Sequence, residues 1–398
     1  MDFNSPLFYA LAAIVILCLV PLLNLYLYRV YTALERLGNT ADDGEEISQE
    51  PLSVIITSHN MGGYLRENLP LVLEQDYSRF EVIVVNDAST DDTEDILKLL
   101  EQKYDNLYHT FTPETAKYLS HKKLALTLGI RAAKYEWLVF TEANCRPAGN
   151  GWLRSLARNF TADTNIVIGY TNYPVDEDCP RFSRKVIFDR LYHQMYELYQ
   201  AARFRAIKAT GCNLAYRKSF FTANKGFSNH LDLLRGSNEL FVNNYAQYKE
   251  GTRVELSPES FVWQSLPNPH RLWGEDKVFY METRRHYLHK FNAHAIFNWD
   301  TFTNYLAWVA FPAGMAFTWF FPPVPALPYA QWIFPAVFVM VFVAWSILKV
   351  CLFRKTTNYL QAPHYGLSLL WYELWIPVRN LTFRLKHNAM DRRNFMRR

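Results

Sequence analysis

Phe80-Glu81-Val82-Ile83-Val84-Val85-Asn86-Asp87-Ala88-Ser89-Thr90-Asp91 is the stretch whose reading decides the fold. An apolar, β-branched run without period-two alternation reads as a strand buried on both faces, and such strands belong to parallel sheets covered by helices. A polar turn ends the run, and a helix with Ile96, Leu97, Leu99 and Leu100 on it starts near Thr90. The alternation recurs on both sides. Upstream are a strand at Leu52–Thr57 and a helix at Gly63–Gln75; downstream are a weaker strand at Leu107–Phe111, a helix at Lys122–Ala133 and a strand at Trp137–Thr141. This order predicts an α/β fold with right-handed βαβ units and a mostly parallel sheet covered on both faces.

In such sheets ligands bind beyond the carboxyl ends of the strands. Four loops lie there: Thr57-Ser58-His59-Asn60, Asn86 to Asp91, the region of His121-Lys122-Lys123, and Glu142-Ala143-Asn144. Each alone reads more plainly as a helix cap or a turn. Together they bring carboxylate, amide, hydroxyl, imidazole and ammonium groups to one edge, which is the composition of a site.

The 398 residues, half of them hydrophobic and 16% aromatic, exclude a disordered or collagen-like chain. A mean hydropathy of -0.15 resembles that of a soluble protein, but the apolar residues are gathered in blocks. No charge falls between Phe3 and Tyr28, or between Thr301 and Leu348, where Pro322, Pro323, Pro325 and Pro328 divide the run. The first block reads as one uncleaved transmembrane anchor and the second as two crossings. Residues 1–36 are then an anchor, 37–50 an acidic linker with Asp42, Asp43, Glu45 and Glu46, 51–297 a cytoplasmic domain, and 298–353 two transmembrane helices. Residues 354–398 form an interfacial helix around Tyr365–Val378 and a basic tail. Arg379 to Arg398 carries seven basic residues against Asp391 alone, so the net charge of +4 belongs to the tail and the rest sums to −2. The positive-inside rule places the domain and tail in the cytoplasm, on a multi-pass inner-membrane protein. With a membrane anchor, nucleic acid is not an expected partner.

Cys18, Cys145, Cys179, Cys212 and Cys351 have no metal-ligand spacing and suit a reducing compartment. His286, His289 and His294 could bind zinc in principle, but read better as juxtamembrane side chains. Phe182–Phe204 reads as an amphipathic helix that packs on a core, with a membrane-facing role the less common alternative.

Val84-Val85-Asn86-Asp87-Ala88-Ser89-Thr90-Asp91-Asp92-Thr93 resembles the strand-end signature of the family 2 glycosyltransferases, membrane-attached inverting enzymes with a Rossmann-like nucleotide-sugar domain of glycosyltransferase A type. The resemblance runs from about Pro51 to Tyr287. It implies that Asp87 accepts from a uracil N3–H, that Thr57, His59 and Asn60 line the base pocket, and that Lys122 faces the diphosphate. Phe140-Thr141-Glu142-Ala143-Asn144-Cys145-Arg146-Pro147 stands where the family has Asp-x-Asp, implying that Glu142 and Asn144 hold ribose and a divalent ion, Mg²⁺ or Mn²⁺. Asn144 offers only a neutral oxygen, so the metal site is expected to be weakened. Gly211-Cys212-Asn213-Leu214-Ala215-Tyr216-Arg217 is similar to the acceptor-side segment, implying roles for Gly211, Asn213 and Tyr216. In Gly236-Ser237-Asn238-Glu239-Leu240-Phe241-Val242, Glu239 stands at the position of the catalytic base. Where many members carry Gln-x-x-Arg, this chain has Asp276 and Phe279, with Lys277, Arg284 or Arg285 as substitutes for the lost cation.

The resemblance therefore implies a membrane-bound enzyme that moves a sugar from a nucleotide-sugar donor, UDP-linked, to a lipid-linked or saccharide acceptor with inversion, in surface glycan synthesis. Its three departures leave an alternative: a catalytically weakened homologue that binds or scaffolds a partner glycosyltransferase.

Overall fold

The computed structural model describes residues 6–27, 30–40, 49–113, 120–175, 181–231, 233–265, 269–288, 294–324, 327 and 329–389. The acidic linker residues Asp42, Asp43, Glu45 and Glu46, together with Cys179, His289, Pro325, Pro328 and the tail from Asp391 to Arg398, lie outside them. In chain order the elements are α1 (Pro6–Leu27), α2 (Val30–Thr40), β1 (Leu52–Ser58), α3 (Gly62–Leu73), β2 (Phe80–Asn86), α4 (Thr93–Lys103), β3 (Leu107–Phe111), α5 (His121–Ala132), β4 (Trp137–Glu142), β5 (Cys145–Pro147) and α6 (Trp152–Ala157). They continue as β6 (Ile166–Gly169), β7 (Thr171–Asn172), α7 (Arg181–Arg203), β8 (Leu214–Arg217), α8 (Lys218–Ala223), α9 (Asn238–Tyr245), β9 (Thr252–Glu255), β10 (Val262–Gln264), α10 (Pro269–Thr283), α11 (Ala295–Phe320), α12 (Ala330–Tyr359) and α13 (Ser368–Ala389). The chain divides into two units: Met1–Ala33 with His294–Asn380, and Leu34–Ala293 with Leu381–Arg398.

The larger unit holds the sheet. Among the described residues its order is β3-β2-β1-β4-β8-β6-β9. The first four strands run parallel, β8 is antiparallel to both neighbours, and β6 pairs parallel with β9. The strands and helices expected from the alternation of periods all form, and the sheet is mostly parallel as read from the sequence. β1, β2 and β4 are buried almost throughout because helices cover both faces. The α5 helix lies close enough on the sheet that a Cβ on Gly129 would come 2.7 Å from Ile55 Cγ2. In register, Ser58 pairs with Asn86 and Thr57 with Glu142, so the loops after β1, β2 and β4 leave the same edge. Chain order reverses between β1 and β4, which makes that edge the switch point at which a crevice opens. A smaller sheet, β5-β10-β7, extends from the end of β4. The α7 helix buries Val186, Leu191 and Met195 completely, so the core-packing reading of Phe182–Phe204 describes it.

In the other unit, α1 packs along α11 and α11 along α12. Two described helices, Pro6–Leu25 and Ala330–Tyr359, are long and apolar enough to cross a membrane. α11 forms as expected but is more polar, with Asn298, Asp300 and Asn304 in its first three turns. The polar groups are paired within the unit: Asn24 donates to Asp300 and Thr303 at 3.0 Å each, and Lys349 meets Glu373 at 2.5 Å and Asn304 at 3.0 Å. The apolar stretch expected as an interfacial helix at Tyr365–Val378 lies largely within the longer α13, where Glu373 is 3% exposed and ion-paired.

Candidate active site

The β1 and β2 loops are tied together. Asn60 and Ala88 both adopt positive φ, at 52° and 48°; the Asn60 amide donates to Ser89 Oγ at 2.9 Å, and Asn60 Oδ1 accepts from the Thr90 amide at 2.7 Å. Asn60 thus serves as the local clamp that a turn residue provides. Asp91 has the capping role anticipated for its loop, accepting from the Thr93 amide at 3.2 Å and from the Gly62 amide at the start of α3 at 3.0 Å.

Asp87 sits at the mouth between these loops, 9% exposed. Its Oδ1 accepts from Thr112 Oγ1 at 2.7 Å and lies 3.2 Å from His121 Nδ1. His59 Nδ1 is 2.6 Å from the Asp87 carbonyl. Thr57 ends β1 between Val85 and Glu142. Thr57, His59, Asn60 and Asp87 therefore share one corner of the crevice.

At the end of β4, Glu142 Oε1 meets Lys122 Nζ at 2.5 Å, and Oε2 accepts from Gln264 Nε2 at 3.0 Å. The same Gln264 nitrogen lies 3.4 Å from Asn144 Oδ1, while Asn144 Nδ2 donates to the Ser265 carbonyl at 2.9 Å. Behind Gln264, Arg190 donates to its Oε1, lies 3.3 Å from Thr171 Oγ1 and stacks 4.5 Å from the Tyr173 ring centre. Lys122 above all, with Arg190 and Arg235 adding, holds the Glu142 carboxyl below its usual range against the opposing effect of burial. Burial disfavours the Lys122 ammonium, but Glu142 outweighs it and raises the lysine's pKa.

Glu239 opens α9, behind Ser237 and the positive-φ Gly236. Its Oε1 accepts from the Tyr287 hydroxyl. Burial raises its pKa, and the charge of Lys208 and the Tyr287 bond offset only part of that. Lys208 in turn lies 3.6 Å from Glu197. A Cβ on Gly211 would come 3.1 Å from Asn238 Nδ2 and 3.9 Å from Glu142 Oε1, so Gly211 separates the start of α9 from the end of β4.

Two residues expected on the acceptor side lie behind the crevice wall. Asn213, 1% exposed, donates to the Tyr170 and Ser260 carbonyls at 2.8 Å and accepts from Trp152 at 3.0 Å. Tyr216 is fully buried among Phe140, Phe221 and Phe241, with its hydroxyl 3.3 Å from Asn238. Both brace the walls.

Two of the substitutes suggested for the lost cation, Lys277 and Arg285, have other partners. Lys277 pairs with Asp189, which also accepts from Trp273 at 3.1 Å. Burial and the Lys277 charge together lower the pKa of neighbouring His193 to about 4. Arg285 lies 3.6 Å from Glu282. The cation in place is Arg235, which pairs with Asp276 and lies 4.0 Å over the Phe279 ring. Asp276 and Phe279, the departures from Gln-x-x-Arg, are the residues that hold it. Sequence reasoning missed Arg235, Arg190 and Gln264. Arg190 carried a signal, being a charge one residue from Leu191 and three from Ile187 on the apolar stripe of α7.

Glu142 and Asn144 do not fit a divalent cation as they are arranged. They supply one carboxylate, both of its oxygens are engaged, and an ammonium stands against it; Mg²⁺ and Mn²⁺ favour a set of hard, mostly anionic oxygens. Among the described residues, His286 and His294 included, no group of three or more His, Cys, Asp or Glu side chains is arranged to hold a metal ion. Cys18, Cys145, Cys212 and Cys351 are free thiols.

A mostly parallel sheet with its polar crevice at the β1/β4 switch point is the architecture of the glycosyltransferase A fold. Residues 53–223 match the family described as Glycosyl transferase family 2. It is 24% identical over 275 residues to "Probable glycosyltransferase YdaM" of Bacillus subtilis (strain 168), covering 67% of this chain and 62% of that protein. Over 125 residues it is 29% identical to "Glycosyltransferase GlyG" of Streptococcus pneumoniae serotype 4, covering 31% of this chain and 40% of the relative. The chain thus spans under two thirds of the length of these relatives. Its fold is similar to that of the mannosyltransferase PcManGT from Pyrobaculum calidifontis, solved with GDP-Man and Mn²⁺, with TM-score 0.52, 17% identity and coverage of 93% and 98% of the two chains.

Proposed function

We propose that the protein is a membrane-bound glycosyltransferase that moves a sugar from a UDP-sugar to a lipid-linked or saccharide acceptor with inversion, in surface glycan synthesis. In this reading Asp87 accepts from the uracil N3–H, with Thr57, His59 and Asn60 around the base. Lys122 meets the diphosphate, Glu142 the ribose, and Gly211 leaves room for the acceptor, with Asn213 and Tyr216 supporting the wall. The acceptor oxygen attacks the anomeric carbon, the bond to the diphosphate oxygen breaks on the opposite face, and Glu239 takes the hydroxyl proton.

The observation that carries the reading is the environment of Glu239. A buried carboxylate with a raised pKa, beside Lys208 and Tyr287 and next in sequence to Asn238, which Gly211 separates from Glu142, is a stronger base than a solvated glutamate, as proton abstraction requires. Membrane attachment is supported by α1 and α12, and cytoplasmic placement by the basic residues of the tail. The test is donor hydrolysis and transfer by wild type and Glu239→Gln, with UDP titration of both. Transfer by wild type and loss of it in a variant that still binds UDP supports the enzyme. UDP binding without turnover in either protein points to the scaffold subunit, for which the engaged Glu142–Asn144 pair is the favouring observation.

A further inference from the structure

We propose that the donor's diphosphate binds without a divalent cation, its charge being met by three side chains, Lys122, Arg190 and Arg235. The inference rests on the nucleotide-sugar reading above and concerns how that donor is held.

The place a metal would take is filled. Lys122 Nζ stands 2.5 Å from Glu142 Oε1, and the Gln264 amide bridges Glu142 Oε2 and Asn144 Oδ1. Asn144 is fixed in that orientation by its bond to the Ser265 carbonyl. A dication entering there would face an ammonium, with two guanidiniums nearby, for the return of one carboxylate and one amide oxygen.

The same arrangement suits an anion. Arg235 is held by Asp276 on one side and by the Phe279 ring beneath it, and its pair with Asp276 uses one of five N–H donors. Arg190 is held by Gln264, Thr171 and the Tyr173 ring. Guanidiniums fixed in this way lose little freedom when they bond phosphate oxygens in pairs, while Lys122 contributes a compact charge. Such preorganised cations can also stabilise the charge that develops on a diphosphate leaving group. The carboxylate that a metal would need is instead the anchor of Lys122.

The test titrates the full-length protein in detergent with UDP and GDP by calorimetry, in EDTA and again in Mn²⁺, and with Mn²⁺ alone by electron paramagnetic resonance. We expect UDP affinity in the two media to agree within about threefold, and Lys122→Met or Arg235→Met to weaken it at least about tenfold in EDTA. Lys122→Arg should keep most of the affinity, and Arg235 is exposed enough that its loss spares the fold. UDP binding that appears only with Mn²⁺, or a stoichiometric Mn²⁺ site in the free protein, overturns the inference and leaves the donor reading standing. If neither nucleotide binds in either medium, the donor reading fails and this inference falls with it.

Discussion

Glu239 and Asn144 show how far one residue's surroundings set its chemistry. A base works only when deprotonated, so with the Glu239 pKa raised by burial the transfer rate should climb with pH through a limb above the ordinary carboxylate range. Tyr287 stabilises the charged form, so Tyr287→Phe should move that limb to still higher pH, read from the pH profile of kcat/KM. Asn144→Asp would set a carboxylate against the Ser265 carbonyl in place of the present 2.9 Å bond. A buried mismatch of this kind costs about 1–3 kcal/mol. Thermal unfolding should therefore fall in EDTA and recover with Mn²⁺, a recovery that wild type does not show. At this scale the sequence was partly legible. The strand-end loops named Asp87, Lys122 and Glu142, because such loops are local, and the family resemblance added Glu239. Arg235 came into view only with Asp276 and Phe279, forty residues on, since nothing local marks a cation–π partner.

Elements are held by contacts of a different kind. Gly129 lets α5 lie on β1 and β2, with Ile55 Cγ2 2.7 Å and Val85 Cγ2 3.2 Å from where a Cβ would be. Gly129→Ala should destabilise by about 1–3 kcal/mol through overpacking, despite alanine's better helix propensity. Because α5 also carries Lys122, UDP affinity should fall with the melting temperature. In the helical unit, Lys349→Met would remove the ammonium that is paired with the buried Glu373. Breaking such a pair costs about 3–5 kcal/mol, whereas replacing both partners by apolar residues is close to neutral. Thermal unfolding in detergent should show a large loss in Lys349→Met and recovery in the double variant with Glu373→Leu. The periods in the sequence predicted α5, α12 and the strands, since burial on one or both faces leaves a repeat. They did not predict the reach of α13, whose buried Glu373 is accommodated by a charged partner on another helix.

On the scale of the whole chain, the proposal of a cytoplasmic domain on a multi-pass anchor can be checked with Lys98→Cys on the exposed face of α4, in a Cys351→Ser background. A membrane-impermeant maleimide should label it in inverted vesicles and leave it unlabelled in right-side-out ones; the reverse would put the domain outside. The sequence by itself determined the layered α/β class, the edge at which the site lies and the apolar helices, since all of these follow from short-range periodicity and from turns between adjacent elements. Tertiary structure decided which charges meet. The Lys122–Glu142 pair, the Arg235 clamp, and the withdrawal of Asn213 and Tyr216 into the walls depend on hydrogen bonds and ion pairs between side chains 20 to 61 positions apart along the chain, and Coulomb and packing forces act over distances in space that spacing in sequence does not encode.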